Sequence, residues 1–163
     1  MANVEPWLRG TLTEVEPVRR AVLHSLEMAR EDAELWCDGL SEEELFARPV
    51  GLPSGAFQLR HIVRSLDRLL SYAEGQQLSD SQIAALKSEM DAGSKENLWQ
   101  EFRAGIESAV SRVQAIQPGS FHETRGIGRK MLPTTVAGLL IHCAEHTQRH
   151  VGQLVTTAKV LRA

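Results

Sequence analysis

Cysteine is nearly absent. The 163-residue chain holds two, Cys37 and Cys143, too few and too isolated for a disulfide framework or a CxxC zinc site. Both read as reduced thiols of a cytoplasmic protein, with Cys143 as a small buried hydrophobe. Long apolar runs are missing too: none approaches the roughly 20 residues of a membrane span. The opening MANVEPWLRG lacks a basic segment followed by an apolar one, so no secretory signal is expected. Basic excess is absent, since the formal net charge is −3. The only concentration of positive charge, Arg125, Arg129 and Lys130, is too short for a nucleic-acid face. There is no internal repeat, low-complexity tract or strong β alternation. What remains is ordinary, with 42% hydrophobic and 24% charged residues, and the length predicts one domain spanning 1–163.

Helical periodicity dominates what is present. A first long helix is expected over about 13–38, where Val15, Val18, Val22, Ala29, Ala33 and Trp36 keep an apolar stripe and His24 falls off it to the surface. Its start is open between a Thr13/Glu16 capping box and Pro17 as first helical residue. Ser41 and Glu44 suggest a short turn of helix before Pro49. A second long helix fits about 55–75, opened by Ser54 and carrying His61 on the flank shared with Phe57, Ser65 and Tyr72. Ser79 and Gln82 cap a shorter segment bearing Ile83, Leu86 and Met90. A third long helix covers about 95–116, and Pro133 marks the start of the fourth, over about 134–160. Between them, RGIGRK predicts a turn or short hairpin, with Ile127 and Met131 over one end of the molecule. Four long helices with short connections predict an all-α chain folded as a single four-helix bundle.

The chemistry concentrates in LLIHCAEHTQRHVGQL, where His142, His146 and His150 recur every fourth residue. At 3.6 residues per turn they stack along one helix, where two imidazoles can grip one ion. A heptad reading puts Val136, Cys143, His150 and Thr157 on one seam position and Leu139, His146, Gln153 and Val160 on the other, leaving His142 at the margin. By itself HxxxH is weak evidence for a metal and is better explained by two core histidines bonded to neighbouring side chains or water. No ExxH pair occurs, which argues against a di-iron carboxylate centre.

Two segments, GAFQLRHIVRSLDRLLSY and IHCAEHTQRHVGQL, carry a resemblance to the DinB/YfiT-like family of four-helix-bundle metalloproteins, and the helix order agrees along the chain. The resemblance implies that His61, His146 and His150 surround one divalent ion. Three neutral imidazoles suit zinc or nickel, with cobalt, iron or copper as alternatives, and leave a position for water or substrate. Gln153, Glu145, Ser65 and Tyr72 are candidates to bond the outer ring nitrogens. His142 or Cys143 would be the fourth ligand of a closed site, and Arg149 stands where it could hold an anionic substrate at a rim. The implied function is a metal-dependent enzyme, a thiol transferase or hydrolase acting on a small molecule, with a low-molecular-weight thiol as a candidate partner. The alternative is a non-catalytic metal-binding or stress-related protein. Family likeness also implies a homodimer, while the charge argues against nucleic acid as partner and the lack of a long apolar run against a membrane. Trp7, Leu8 and Leu12 would cover an edge of the bundle or meet the second copy.

Overall fold

Proline decides where the first helix begins. In the computed structural model, which describes residues 4–163, α1 runs Pro17–Cys37, and the Glu16 carboxylate accepts from the N–H groups of Val18 and Arg19 at 3.0 and 3.1 Å. The start expected at Thr13 therefore moves to Pro17. A residue before proline is driven out of helical conformation, and Glu16 is extended, with φ −53° and ψ 139°. Serines open most of the later helices, each taking up otherwise unpaired N–H groups. Ser41 caps α2 (Glu42–Phe46), Ser54 caps α3 (Gly55–Ala73), Ser79 caps α4 (Asp80–Lys87) and Ser94 caps α5 (Lys95–Ala115).

Pro133 does not open the last helix. It lies in β2 (Leu132–Thr135), which pairs antiparallel with β1 (Thr124–Ile127), Pro133 facing Gly126. Thr135 ends the hairpin and caps α6 (Val136–Leu161), its hydroxyl accepting from the Gly138 N–H at 3.1 Å. Ile127 packs against the core as expected, whereas Met131, in the hairpin turn with φ 49°, is exposed.

The long helices contact one another in a closed cycle: α1 on α6, α6 on α3, α3 on α5 and α5 on α1, with α6 making the most extensive contacts. Their inward residues, among them Leu26, Leu59, Leu66, Phe102, Leu140 and Leu154, form one buried cluster. Gly105 lets α5 approach α3 closely, because a Cβ there would collide with Val63. None of the described helices is long and apolar enough to cross a membrane.

Several surface expectations change. His24 is buried at 6% exposure, with its Nε2 3.2 Å from the Thr11 hydroxyl. The Thr11 segment folds back over α1, which the α1 stripe alone does not reveal. Leu12 packs on the core, while Trp7 and Leu8 remain exposed. Ile83, Leu86 and Met90 of the α4 region are exposed as well. In α6 the buried stripe runs through Leu140, Cys143, Thr147, Val151, Leu154 and Ala158, leaving Gln153 and Val160 of the expected seam exposed. An α-helix drifts about 20° per heptad from a strict seven-residue repeat, so His146 and His150 sit at the edge of the buried stripe rather than in its middle.

Candidate metal centre

Packing of α3 on α6 converts a distant pair of motifs into one cluster. His61 stands two turns into α3, and His146 and His150 occupy successive turns of α6. Their ring centroids are 5.1 Å apart for His61 and His146, 4.2 Å for His61 and His150, and 4.5 Å for His146 and His150. One nitrogen from each ring lies within 4.8 Å of the others, and all three rings are half-buried. Phe57, one turn before His61, stacks on it at 5.2 Å and shields that face.

Each outer nitrogen of two of these rings is held by a group whose chemistry fixes the proton. Glu89 places Oε2 2.7 Å from Nδ1 of His61 and takes the Arg68 guanidinium on Oε1 at 3.0 Å. Burial works against ionisation of Glu89, yet the bonds from His61 and Arg68 outweigh it and hold the carboxyl below its usual range. An ionised carboxylate only accepts, so Nδ1 of His61 donates to it, and in the neutral ring Nε2 is the nitrogen left with a lone pair. The Ser65 hydroxyl reaches that Nε2 at 3.4 Å. Also from α3, the Gln58 amide donates through Nε2 to Gln153 of α6 at 3.0 Å. Its Oε1 therefore receives Nδ1–H of His150 at 2.7 Å, again leaving Nε2 as the inward atom.

Burial, followed by the neighbouring histidines, pushes His146 down to about 4. Burial, with His61 and Arg149 adding, brings His150 to the same value. Both rings are thus neutral at pH 7, and neutral imidazole is the ligating form. The donor set fits a borderline divalent ion such as zinc or nickel, and the cluster could hold one.

Glu89 reaches the site through a ladder of arginines on α3. Arg60 donates to the Asp91 carbonyl, Arg64 to the Ala85 carbonyl at 2.6 Å and to the Ser88 hydroxyl at 3.0 Å, and Arg68 to Glu89 itself. Four-residue spacing puts the three on one face, and together they clamp the connection after α4 against α3.

The remaining candidates separate from the trio. His142 is one turn from His146, with centroids 5.4 Å apart, and its Nδ1 lies 2.6 Å from Glu145 on the exposed surface. That bond holds Glu145 below its usual range and occupies it away from the cluster. Gln153 accepts from Gln58 and also bonds the His150 side chain, favouring its protonated form against the larger effect of burial, and Arg149 is exposed beside it. Tyr72 is buried but stands 11 residues beyond His61 on α3, about 16 Å along the axis, too far to serve either ring. Cys143 is fully buried, its thiol pushed up to about 12 by that burial, and it is outside the trio.

Glu89, Gln58 and Arg68 were not among the residues picked out from the sequence. Arg60, Arg64 and Arg68 were a visible signal that α3 binds something acidic or carbonyl-rich. Spacing alone did not say which of the 21 acids would come.

No curated protein matches the chain. The family model of the DinB superfamily matches residues 25–154, which include all three histidines of the cluster and the Glu89 connection. The chain belongs to the DinB superfamily.

Proposed function

We propose that His61, His146 and His150 hold one divalent ion, zinc or nickel, and that the protein is an enzyme using it on a small molecule. The observation that carries this reading is the approach of three imidazole nitrogens to within 4.8 Å, with no further His, Cys, Asp or Glu in that group among the described residues. Three protein ligands leave a position for water or substrate, as catalytic sites do. The ion would supply Lewis acidity there, polarising a water or thiol. The chain's own residues set the stage. Glu89 and Gln58 keep protons on the outer nitrogens of His61 and His150, Phe57 covers the His61 ring, and Ser65 offers a hydroxyl at the inward edge. The reactions that suit this arrangement are transfer to a low-molecular-weight thiol and hydrolysis. We read the cycle of long helices as a single-domain four-helix bundle, cytoplasmic and homodimeric.

A second reading has one observation in its favour: the cluster joins α3 to α6, so an ion there would also fasten these helices. In that case the protein is a non-catalytic metal-binding or stress-related one. Metal analysis of protein purified from zinc- and nickel-supplemented cultures, followed by a thiol-substrate screen on native protein and His150→Ala, tests both. Stoichiometric metal with turnover lost in the variant supports the enzyme. Stoichiometric metal without turnover favours the fastening role, and absence of metal removes both.

A further inference from the structure

A groove beside the histidine cluster presents hydrogen-bond donors and no acid. Its volume is about 310 Å³, with walls from Leu52, Pro53, Arg149, Gly152, Gln153 and Thr156. Arg149 is exposed and makes no hydrogen bond or ion pair among the described residues; Glu145, one turn earlier, bonds His142 and feels the Arg149 charge only at longer range. Gln153 uses its carbonyl to accept from Gln58, so its amide N–H groups remain for the groove. The Thr156 hydroxyl is already donated to the Gly152 carbonyl at 2.8 Å. The groove adjoins the cluster through the chain Gln153, Gln58, His150, and the Arg149 charge is felt at both His146 and His150.

We propose that this groove binds the carboxylate of a small-molecule ligand through the Arg149 guanidinium and the Gln153 amide, while the ligand's other end reaches the histidine cluster. The inference rests on the metal reading above for that second end. A planar guanidinium matches a carboxylate with two parallel hydrogen bonds, stronger than neutral ones. Leu52 and Pro53 supply apolar wall for the carbon chain between. Gly152 keeps the floor open: a Cβ built there meets nothing within 4 Å. A longer side chain at that position would narrow the groove that Gly152 lines.

The test compares 3-mercaptopropionate with its neutral amide, 3-mercaptopropionamide. Added to cobalt-loaded protein, each is followed by its thiolate-to-cobalt absorption band. Added to metal-free protein, each is followed by side-chain NMR signals of Arg149 and Gln153. The acid is expected to bind cobalt protein about tenfold more tightly than the amide, to lose that preference in Arg149→Met, and to weaken in Gly152→Leu. In metal-free protein the acid alone is expected to shift the two side-chain signals. Equal binding of the two probes, a preference that survives Arg149→Met, or unmoved side-chain signals would overturn the proposal. Failure of cobalt to bind, with the side-chain shifts intact, would remove the metal reading and leave the carboxylate groove standing.

Discussion

His61 and His142 make the same contact with different consequences. Each sets Nδ1 against a carboxylate, 2.7 Å from Glu89 and 2.6 Å from Glu145. The Glu89 pair joins residues 28 apart, with side chains 17% and 6% exposed; the Glu145 pair spans one turn of α6, with 41% and 54% exposed. Water competes for the surface pair, so it contributes little. Glu89 has been taken out of water and is tolerable only because His61 and Arg68 satisfy it, which makes it costly to disturb. The free nitrogen differs too. That of His61 is aimed among two other rings, whereas His142 stays outside the trio. Distance within a pair therefore says less about a role in the site than burial and what the opposite nitrogen faces.

The sharpest way to break this contrast is to remove rings. His146→Ala or His150→Ala should abolish stoichiometric zinc or nickel retention, measured by elemental analysis after gel filtration, while His142→Ala retains it. Loss of metal in His142→Ala would erase the distinction between the two pairs.

Next in size is the carboxylate swap. Glu89→Gln should lower metal affinity about 10–100-fold, the usual effect of losing a bonded partner of a ligand histidine. Glu145→Gln should change it less than about twofold, a bound drawn from the weakness of exposed pairs. Competition with a chromophoric chelator measures both, and equal losses would refute the reading. Gln58→Leu should fall between them, because His150 would lose its acceptor and the buried donor network would end.

Acid provides a third handle, on the metal-free protein. The folded pKa of about 4 for His146 and His150 lies below the unfolded value of about 6.5. Between these values the unfolded chain binds more protons, so stability falls as pH drops from about 6.5 toward 4 and these two groups add nothing further below that. Glu89, held below its usual range, adds a loss of the same sign beginning at lower pH. Urea midpoints across pH 4 to 7.5 should show this slope. The double variant His146→Ala/His150→Ala should flatten it in the upper part of the window. An unchanged slope would show that these rings are not buried neutral.

The smallest effect concerns α6 itself. Gly152→Ala should be neutral or stabilise by about 1 kcal/mol, since the site is helical and open and glycine is a poor helix former. Thermal unfolding checks this, and marked destabilisation would mean that the groove floor is tighter than its open space indicates.

The sequence by itself determined the helices. Serine caps, stop residues and apolar spacing are local, so the starts of α3, α4 and α5 could be read directly. Errors arose where local signals competed. Pro133 is equally at home in a first helical turn and at a hairpin position, and Pro17 displaced the Thr13 start. A seven-residue template also misplaced Gln153, because the helix drifts across it. HxxxH likewise fixed the spacing of His146 and His150 without distinguishing ligands from core histidines. Only the tertiary structure brought His61 across from α3, set Glu89 and Gln58 on the outer nitrogens, and turned Arg149 into the wall of a groove. Those pairings join residues from 28 to 95 apart, and no local periodicity encodes them. They follow from α3 packing on α6 and from three arginines clamping the connection after α4, which is why the chemistry of this chain lies in its packing and its architecture in its sequence.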